Sequence, residues 1–204
     1  GIFFEFIPVD GTDEDVIPLS DVQIYKHYAL VITTNSGLWR YKIGDLVKFT
    51  SVAPYRIQVA GRTKHFINAF GEELMIENAD LALSKAAQAL GIYVVDYTAA
   101  PIFMEGKKQG THQWLIEFDK VPEDLNRFIL LLDESLRELN SDYDAKRYKS
   151  ITMRIPELVI AQPKLFYKWL SKNKKLGGQH KIPRLSNNRD LMEELLGINA
   201  MKPL

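Results

Sequence analysis

Leu125, Phe128, Ile129, Leu132, Leu136 and Leu139 stand at offsets of 0, 3, 4, 7, 11 and 14. That spacing lines one face of an α-helix with apolar side chains and fits no strand, so any fold of this chain must pack the stripe against something. Pro122-Glu123-Asp124 opens the helix and puts its acids at the dipole-positive end. Strand-forming sequence surrounds it. Residues 92–103 are β-branched and aromatic, and Gly106-Lys107-Lys108-Gln109-Gly110 reads as a hairpin loop. His112, Trp114, Ile116 and Phe118 then alternate as a strand requires, and Ile151, Met153 and Ile155 alternate as a further strand. Two more helices are predicted. Residues 77–90 are rich in Ala and Leu and stop at Gly91, a suitable C′ residue. A later helix carries Phe166, Trp169 and Leu170, with Pro163 at its first position. With a short leading strand near Phe66-Ile67, the order predicts an α+β unit close to a split βαβ sandwich.

Upstream the chain reads as β. Residues 3–9 are apolar strand formers, Asp10-Gly11 is a turn signal, and the acidic run to Asp15 reads as an exposed hairpin tip. Residues 28–34, 46–50 and 55–60 are further strands, and Gly61 breaks the last. The change of character puts a domain boundary near Lys64, giving regions 1–64 and 65–204. A chain of 204 residues suits one large domain or two small ones. The first residues lack a methionine and open inside an apolar strand, which predicts a fragment of a longer chain.

Composition narrows the function. Lys plus Arg and Asp plus Glu both number 26, so there is no global pull toward nucleic acid or an anionic membrane. The chain has no cysteine, which excludes disulfides, thiolate zinc sites, iron–sulfur clusters and a Cys nucleophile. No apolar run approaches the ~20 residues that span a bilayer. No basic leader precedes an apolar segment, so a cytoplasmic protein is the default. His27, His65, His112 and His180 never pair at helical spacing, and no metal cage is expected. There is no Gly-x-Ser-x-Gly elbow, Walker A loop or Gly-x-Gly-x-x-Gly. Residues 158–189 contain no acid but eight Lys or Arg, a stretch that reads either as solvated surface or as an anion site. Phe166, Tyr167 and Trp169 interleave with those lysines at the spacing of a helix core rather than of a base-stacking platform.

Three segments carry possible chemistry. The first is Thr33-Thr34-Asn35-Ser36-Gly37-Leu38-Trp39-Arg40-Tyr41-Lys42-Ile43-Gly44-Asp45. The Asp45 carboxylate can accept hydrogen bonds from two vicinal hydroxyls, as a ribose presents them. Gly44-Asp45 reads equally as a β-bulge or turn. The second joins the two regions, with Arg62 and Lys64 available to a phosphate or simply to solvent, and with Gly61 and Gly71 bracketing it as a pivot or a plain connection. The third is Lys175-Leu176-Gly177-Gly178-Gln179-His180-Lys181-Ile182-Pro183-Arg184. Its Lys181 can close on a reacting phosphate, or sit on an exposed basic loop.

Taken together and in this order, the segments resemble the C-terminal portion of the auxin-responsive acyl-acid amido synthetases, the Gretchen Hagen family. That family belongs to the wider adenylate-forming class of acyl-CoA synthetases and luciferases. The resemblance runs from Phe3-Phe4-Glu5-Phe6-Ile7-Pro8 to Leu195 and is most specific in residues 33–45 and in Gly177-Gly178-Gln179-His180-Lys181-Ile182-Pro183-Arg184. It implies that 1–64 is the β-rich remnant of a large adenylating domain and 65–204 a smaller, mobile α/β sandwich cap. It also implies a reaction in which a carboxylic acid is activated by ATP, with Mg2+, and its acyl group passes to an amine, in this family usually an amino acid. Asp45 falls on the aspartate that binds the ribose, and Tyr41 opens the same Tyr-x-x-Gly-Asp motif. Arg62 matches the arginine before the hinge, Lys64 the hinge itself, and Lys181 the lysine that serves adenylation. Lys42 stands where many members carry Arg. The phosphate loop and the middle motif of the family are not in this sequence. The fragment is therefore expected to be inactive alone, with the rest of the adenylating domain as its missing partner. The alternative is a stand-alone binding or interaction module that reuses the cap fold without chemistry.

Overall fold

The computed structural model describes residues 1–63, 66–106, 108–148, 152–174 and 181–201. The chain divides into two compact units, Gly1–Phe66 and Ile67–Leu204. In the first, β1 (Ile2–Pro8), β2 (Ile17–Pro18), β3 (His27–Thr34), β4 (Tyr41–Val52) and β5 (Tyr55–Arg62) form one antiparallel sheet in the order β2-β1-β3-β4-β5. The Asp10-Gly11 turn forms as expected, with the Gly11 N–H donating to the Pro8 carbonyl at 2.9 Å. Asp15 closes the acidic tip by accepting from the N–H and hydroxyl of Thr12, and those bonds hold its carboxyl below the ordinary aspartate range. One sheet face is packed by Phe6, Tyr28 and Phe49, whose rings meet edge to face at 5.1–6.2 Å. On β5 the side chains of Tyr55, Ile57 and Val59 are exposed, Val59 by 66%.

The second unit is a three-layer sandwich. β6 (Phe66–Ile67) and β7 (Leu74–Met75) make a small two-stranded sheet that leads into α1 (Ile76–Leu90). Gly91 ends α1 in the left-handed conformation, φ 65°, as the sequence predicts. The hairpin β8 (Val94–Ile102) and β9 (Thr111–Phe118) follows. The stripe becomes α2 (Leu125–Leu139), capped by the Asp124 carboxylate on the Arg127 N–H at 2.8 Å. After α3 (Ser141–Arg147) the chain returns as β10 (Glu157–Ile160), parallel to β9, giving the sheet order β10-β9-β8. Phe128, Leu132 and Leu136 of α2 pack with Leu83 and Ala86 of α1 and with Trp114 and Ile116 of β9. The opposite sheet face is covered by α4 (Leu165–Lys172) and α5 (Asp190–Ala200), through Phe166, Trp169, Met192 and Leu195 against Leu115. Among the described residues no helix is long and apolar enough to cross a membrane.

The α+β expectation therefore holds, with four local corrections. Phe66-Ile67 pairs with β7 and not with the three-stranded sheet. The third strand is β10 rather than 151–155. Ile151 lies outside the described residues, and Met153 makes only an isolated bridge with Gly110. Pro163 precedes α4 instead of opening it. The Leu165 N–H reaches the Gln162 carbonyl at 3.0 Å and Lys164 has φ 62°, so Pro163 occupies the second position of a type II-like turn. The alternation on β9 marks one face only. Leu115 and Glu117 on the other face are buried as well, because helices cover both sides of the sheet.

A buried polar cluster sits where α2, α3 and β9 meet. Glu72 and His112 are both fully buried, with Glu72 Oε1 2.7 Å from His112 Nε2 and Glu72 Oε2 accepting from the Phe70 N–H at 2.7 Å. Burial raises the Glu72 carboxyl, but the bond and charge of His112 and the Phe70 N–H outweigh it and leave it below the ordinary glutamate range. A carboxylate only accepts, so Nε2 carries the proton. Nδ1 of His112 has no hydrogen-bond partner among the described residues. Next to it the Tyr143 ring lies 5.7 Å from the imidazole, and its hydroxyl donates to Asp133 at 2.7 Å. Burial first, and the Asp133 charge second, push that hydroxyl well above the ordinary phenol range. Arg147 binds both Asp133 oxygens, at 2.7 and 2.9 Å, and donates to the Met153 carbonyl.

Candidate functional site

In the first unit the Gly44-Asp45 segment is an interruption of the sheet. On β3, Ala29 pairs with Leu46 and Val31 with Lys42, so the single residue Leu30 stands opposite Ile43, Gly44 and Asp45. A bulge of this kind bends a strand and re-aims a side chain. Gly44 makes it possible with φ +87°; an added Cβ would meet only the Thr63 hydroxyl, at 3.9 Å, so backbone conformation and not space demands glycine. The Thr63 N–H donates to the Gly44 carbonyl at 2.9 Å and holds the bulge from the end of the neighbouring strand. A second irregularity on β5, where Ala60 has no partner, sets Arg62 opposite Asp45. Arg62 Nε lies 3.3 Å from Asp45 Oδ1, with the two side chains 66% and 34% exposed. A pair this open leaves the carboxylate free to exchange its partner for the hydroxyls of a ligand.

Tyr41 opens β4 and is half exposed. Lys42 is bound to the Asp13 carboxylate. The loop before it is held by its own hydroxyls: Thr33 Oγ1 accepts from the Arg40 N–H at 3.1 Å, and Thr34 Oγ1 accepts from the Leu38 N–H at 3.3 Å. Arg40, at φ 44°, grips the buried Glu5 carboxylate with two bonds of 2.6 and 3.1 Å. A cleft of about 210 Å³ lies beside the bulge, lined by Pro8, Asp13, Lys42, Leu46 and Thr63; neither Asp45 nor Tyr41 lines it.

In the second unit Lys181 is exposed. The residues after it are not. Ile182 is buried with α4 and α5, and Leu185 in the main core. The Thr98 hydroxyl donates to the Pro183 carbonyl at 2.8 Å, the Ala99 N–H to the Arg184 carbonyl at 2.8 Å, and the Ser186 N–H to the Ala99 carbonyl at 3.1 Å. Residues 183–186 thus lie along β8 in a parallel bridge. Arg184 Nη1 bonds both oxygens of Asp80 on α1, at 2.8 and 2.9 Å. Its guanidinium sits 5.2 Å from the centre of the Tyr97 ring, and the Tyr97 hydroxyl donates to the same Asp80 at 2.7 Å. Burial, and then that bond, push the Tyr97 hydroxyl far above the ordinary phenol range. These groups border a cleft of about 490 Å³ between α1 and β8.

Of the residues singled out in the sequence, Asp45 and Arg62 are brought together, with Tyr41 on the same strand as Asp45. Lys181 belongs to the other unit. Lys64, His65, Lys107 and residues 175–180, which include the glycine pair and His180, lie outside the described residues. The Asp80–Arg184 pair and the Glu5–Arg40 pair have no local sequence signal, since 104 and 35 residues separate their members. Among the described residues no three His, Asp or Glu cluster as metal ligands.

Residues 1–62 match the family model of the GH3 family central domain, and residues 77–190 that of the GH3 family C-terminal domain. The chain is 27% identical over 203 residues to 4-substituted benzoates-glutamate ligase GH3.12 of Arabidopsis thaliana, covering 89% of this chain and 35% of that protein. It is 26% identical over 207 residues to indole-3-acetic acid-amido synthetase GH3.8 of Oryza sativa subsp. indica, covering 89% and 33%. Among solved structures, GH3.15 acyl acid amido synthetase shares the fold with a TM-score of 0.68 at 22% identity, over 98% of this chain and 37% of that one. The chain spans about a third of the length of the curated relatives it matches.

Proposed function

The chain belongs to the GH3 family of acyl-acid amido synthetases, and from that premise we propose that it carries the central and C-terminal portions of an enzyme that activates a carboxylic acid with ATP and passes the acyl group to an amino acid. In this reading the acid attacks the α-phosphate, pyrophosphate leaves, and an amine then displaces AMP from the acyl carbon. The observation that carries it is the bulge that holds the Asp45 side chain 34% exposed, within the segment matching the family's central domain. A carboxylate so held fits the two vicinal hydroxyls of a ribose, with Tyr41 beside it on the strand and Arg62 as the partner it gives up. Lys181 supplies the cation that neutralises charge growing at the phosphate, and Lys64 the pivot between 1–64, as the end of the adenylating domain, and 65–204, as a mobile cap. Magnesium enters on the nucleotide's phosphates, as this ion commonly does; no step here runs through it. The substrate set and the dependence on ATP suit a cytoplasmic enzyme, and the remainder of the adenylating domain is the partner this chain requires.

The test is acid-dependent exchange of pyrophosphate into ATP by the full-length protein, followed by detection of the amide when an amino acid is added. Benzoates and indole-3-acetic acid, named for relatives, are the first acids to try, and glutamate the first amine. Exchange with at least one acid, and none from the 204-residue chain alone, is the expected result. Acid binding without any exchange supports a binding module instead. Asp45→Ala in the full-length protein is expected to raise the KM for ATP about 10- to 100-fold, the worth of hydrogen bonds to a charged acceptor. An unchanged KM removes Asp45 from the nucleotide site.

A further inference from the structure

The eight Lys and Arg of residues 158–189, without an acid among them, predict a solvated basic surface. Arg184 does not behave as part of one. Its Nη1 is held by both oxygens of Asp80, its guanidinium carbon lies over Tyr97, and its own carbonyl is bonded into β8. Tyr97 in turn stacks on the fully buried Trp114, with ring centres 5.7 Å apart. A continuous run of contacts therefore leads from the centre of the core to a residue three places from Lys181. Burial holds the nearby Asp96 carboxyl above its ordinary range, with the Asp80 charge adding to the rise, while the Tyr97 N–H and the charges of Arg184 and Lys181 oppose it.

We propose that Asp80, Tyr97 and Arg184 are positioning residues for Lys181: they fix the exit of its segment on β8, so that the reach of the amine is set by the core. The inference rests on the adenylation role given to Lys181 above. Global stability does not account for the Asp80–Arg184 pair. The Arg184 and Asp80 side chains are 42% and 41% exposed, and pairs that open contribute little to folding. The strands and helices they join are already held by Leu83, Trp114 and Leu185 in the core. What the cluster adds is a fixed bearing for a residue that precedes it, and misplacing a reacting group by about 1 Å costs about a hundredfold in rate.

The experiment uses the full-length protein and measures two half-reactions separately: acid-dependent pyrophosphate exchange, and aminolysis of a supplied acyl-adenylate. Arg184→Ala is expected to lower the kcat of exchange roughly 10- to 100-fold, with the KM for ATP and the aminolysis rate changed by less than about twofold. Asp80→Asn should follow it. Arg184→Lys should recover only part of the loss, because an ammonium can replace the Nη1 contact with Asp80 but not the guanidinium that lies over Tyr97. Arg184→Ala combined with Lys181→Ala should exchange no more slowly than Lys181→Ala alone, since the positioning acts only through the lysine. Additive losses, or equal losses in both half-reactions, indicate a merely structural role and overturn the inference. So does wild-type exchange by Arg184→Ala when Lys181→Ala is impaired. Wild-type exchange by Lys181→Ala overturns the adenylation role itself, and this inference with it.

Discussion

Glu72→Ala is expected to destabilise the second unit by about 3–5 kcal/mol, the usual cost of removing one member of a buried ion pair or its hydrogen-bonded equivalent. The loss has three parts. His112 Nε2 loses its Glu72 partner in a site of zero exposure, the Phe70 N–H loses its acceptor, and a cavity opens beside the Phe70 ring that stacks on the imidazole. Since Nδ1 of His112 has no partner either, the ring would be left without any hydrogen bond among the described residues. Glu72→Gln should cost less, because its amide oxygen still serves one of the two donors. Urea unfolding of the 204-residue chain, followed by far-UV circular dichroism, measures both variants; a loss under about 1 kcal/mol for the alanine would refute the assignment. The pair also sets a pH dependence. The folded Glu72 carboxyl lies below its ordinary value of 4.5, so the stability it contributes is complete above that value and is lost as the pH falls through its lower folded one. The wild type should thus lose stability more steeply than Glu72→Gln as acid is added below about pH 4.5.

Asp133→Ala is expected to be of similar size, about 3–5 kcal/mol, for a different reason. It removes the carboxylate that faces a buried charge. The Arg147 side chain is 8% exposed and would lose both of its bonds to Asp133, while the Tyr143 hydroxyl would lose its acceptor inside the core. Asp133→Asn keeps one acceptor and should fall between the alanine and the wild type. The two clusters touch through the His112 and Tyr143 rings and through Asn140, which donates to the Glu72 carbonyl and accepts from the Tyr143 N–H. The double variant should therefore deviate from the sum of the singles by at least about 0.5 kcal/mol. Strict additivity in a double-mutant cycle would show two independent clusters.

The parts of this fold that are legible in the sequence are those fixed by local rules. The α2 stripe, the Gly91 stop and the Asp10-Gly11 turn each depend on a few neighbouring residues and on backbone geometry, and each forms where expected. β10 is harder to read. Leu158, Val159 and Ile160 make a short apolar run with no alternation, because helices cover both faces of the sheet, whereas Ile151, Met153 and Ile155 imitate an alternating strand. Helices α3 and α5 carry no strong apolar stripe, and the sequence pattern does not announce them. The site divides in the same way. Gly44-Asp45 announces an interruption through residue type alone, but which residue faces Asp45 depends on two separate register shifts. Asp80 and Arg184 meet only because α1 and the segment after Lys181 flank the same strand.

The interruption in β4 has one more property, a matter of parity. Downstream of it the paired residue numbers of β3 and β4 sum to 75, as in 29 with 46, and upstream they sum to 73, as in 31 with 42. The excess is two residues, an even number, so side chains on either side keep the faces that an unbroken strand would give them. Excising two residues from 43–45 would leave Leu46, Val47 and Phe49 in the core and Tyr41 and Lys42 on their present sides, and would erase only the projection that bears Asp45. Excising one would turn Tyr41 and Lys42 over. The carboxylate is thus mounted on a detachable module of the sheet, and selection can lengthen, shorten or discard it in steps of two without rebuilding what lies beneath.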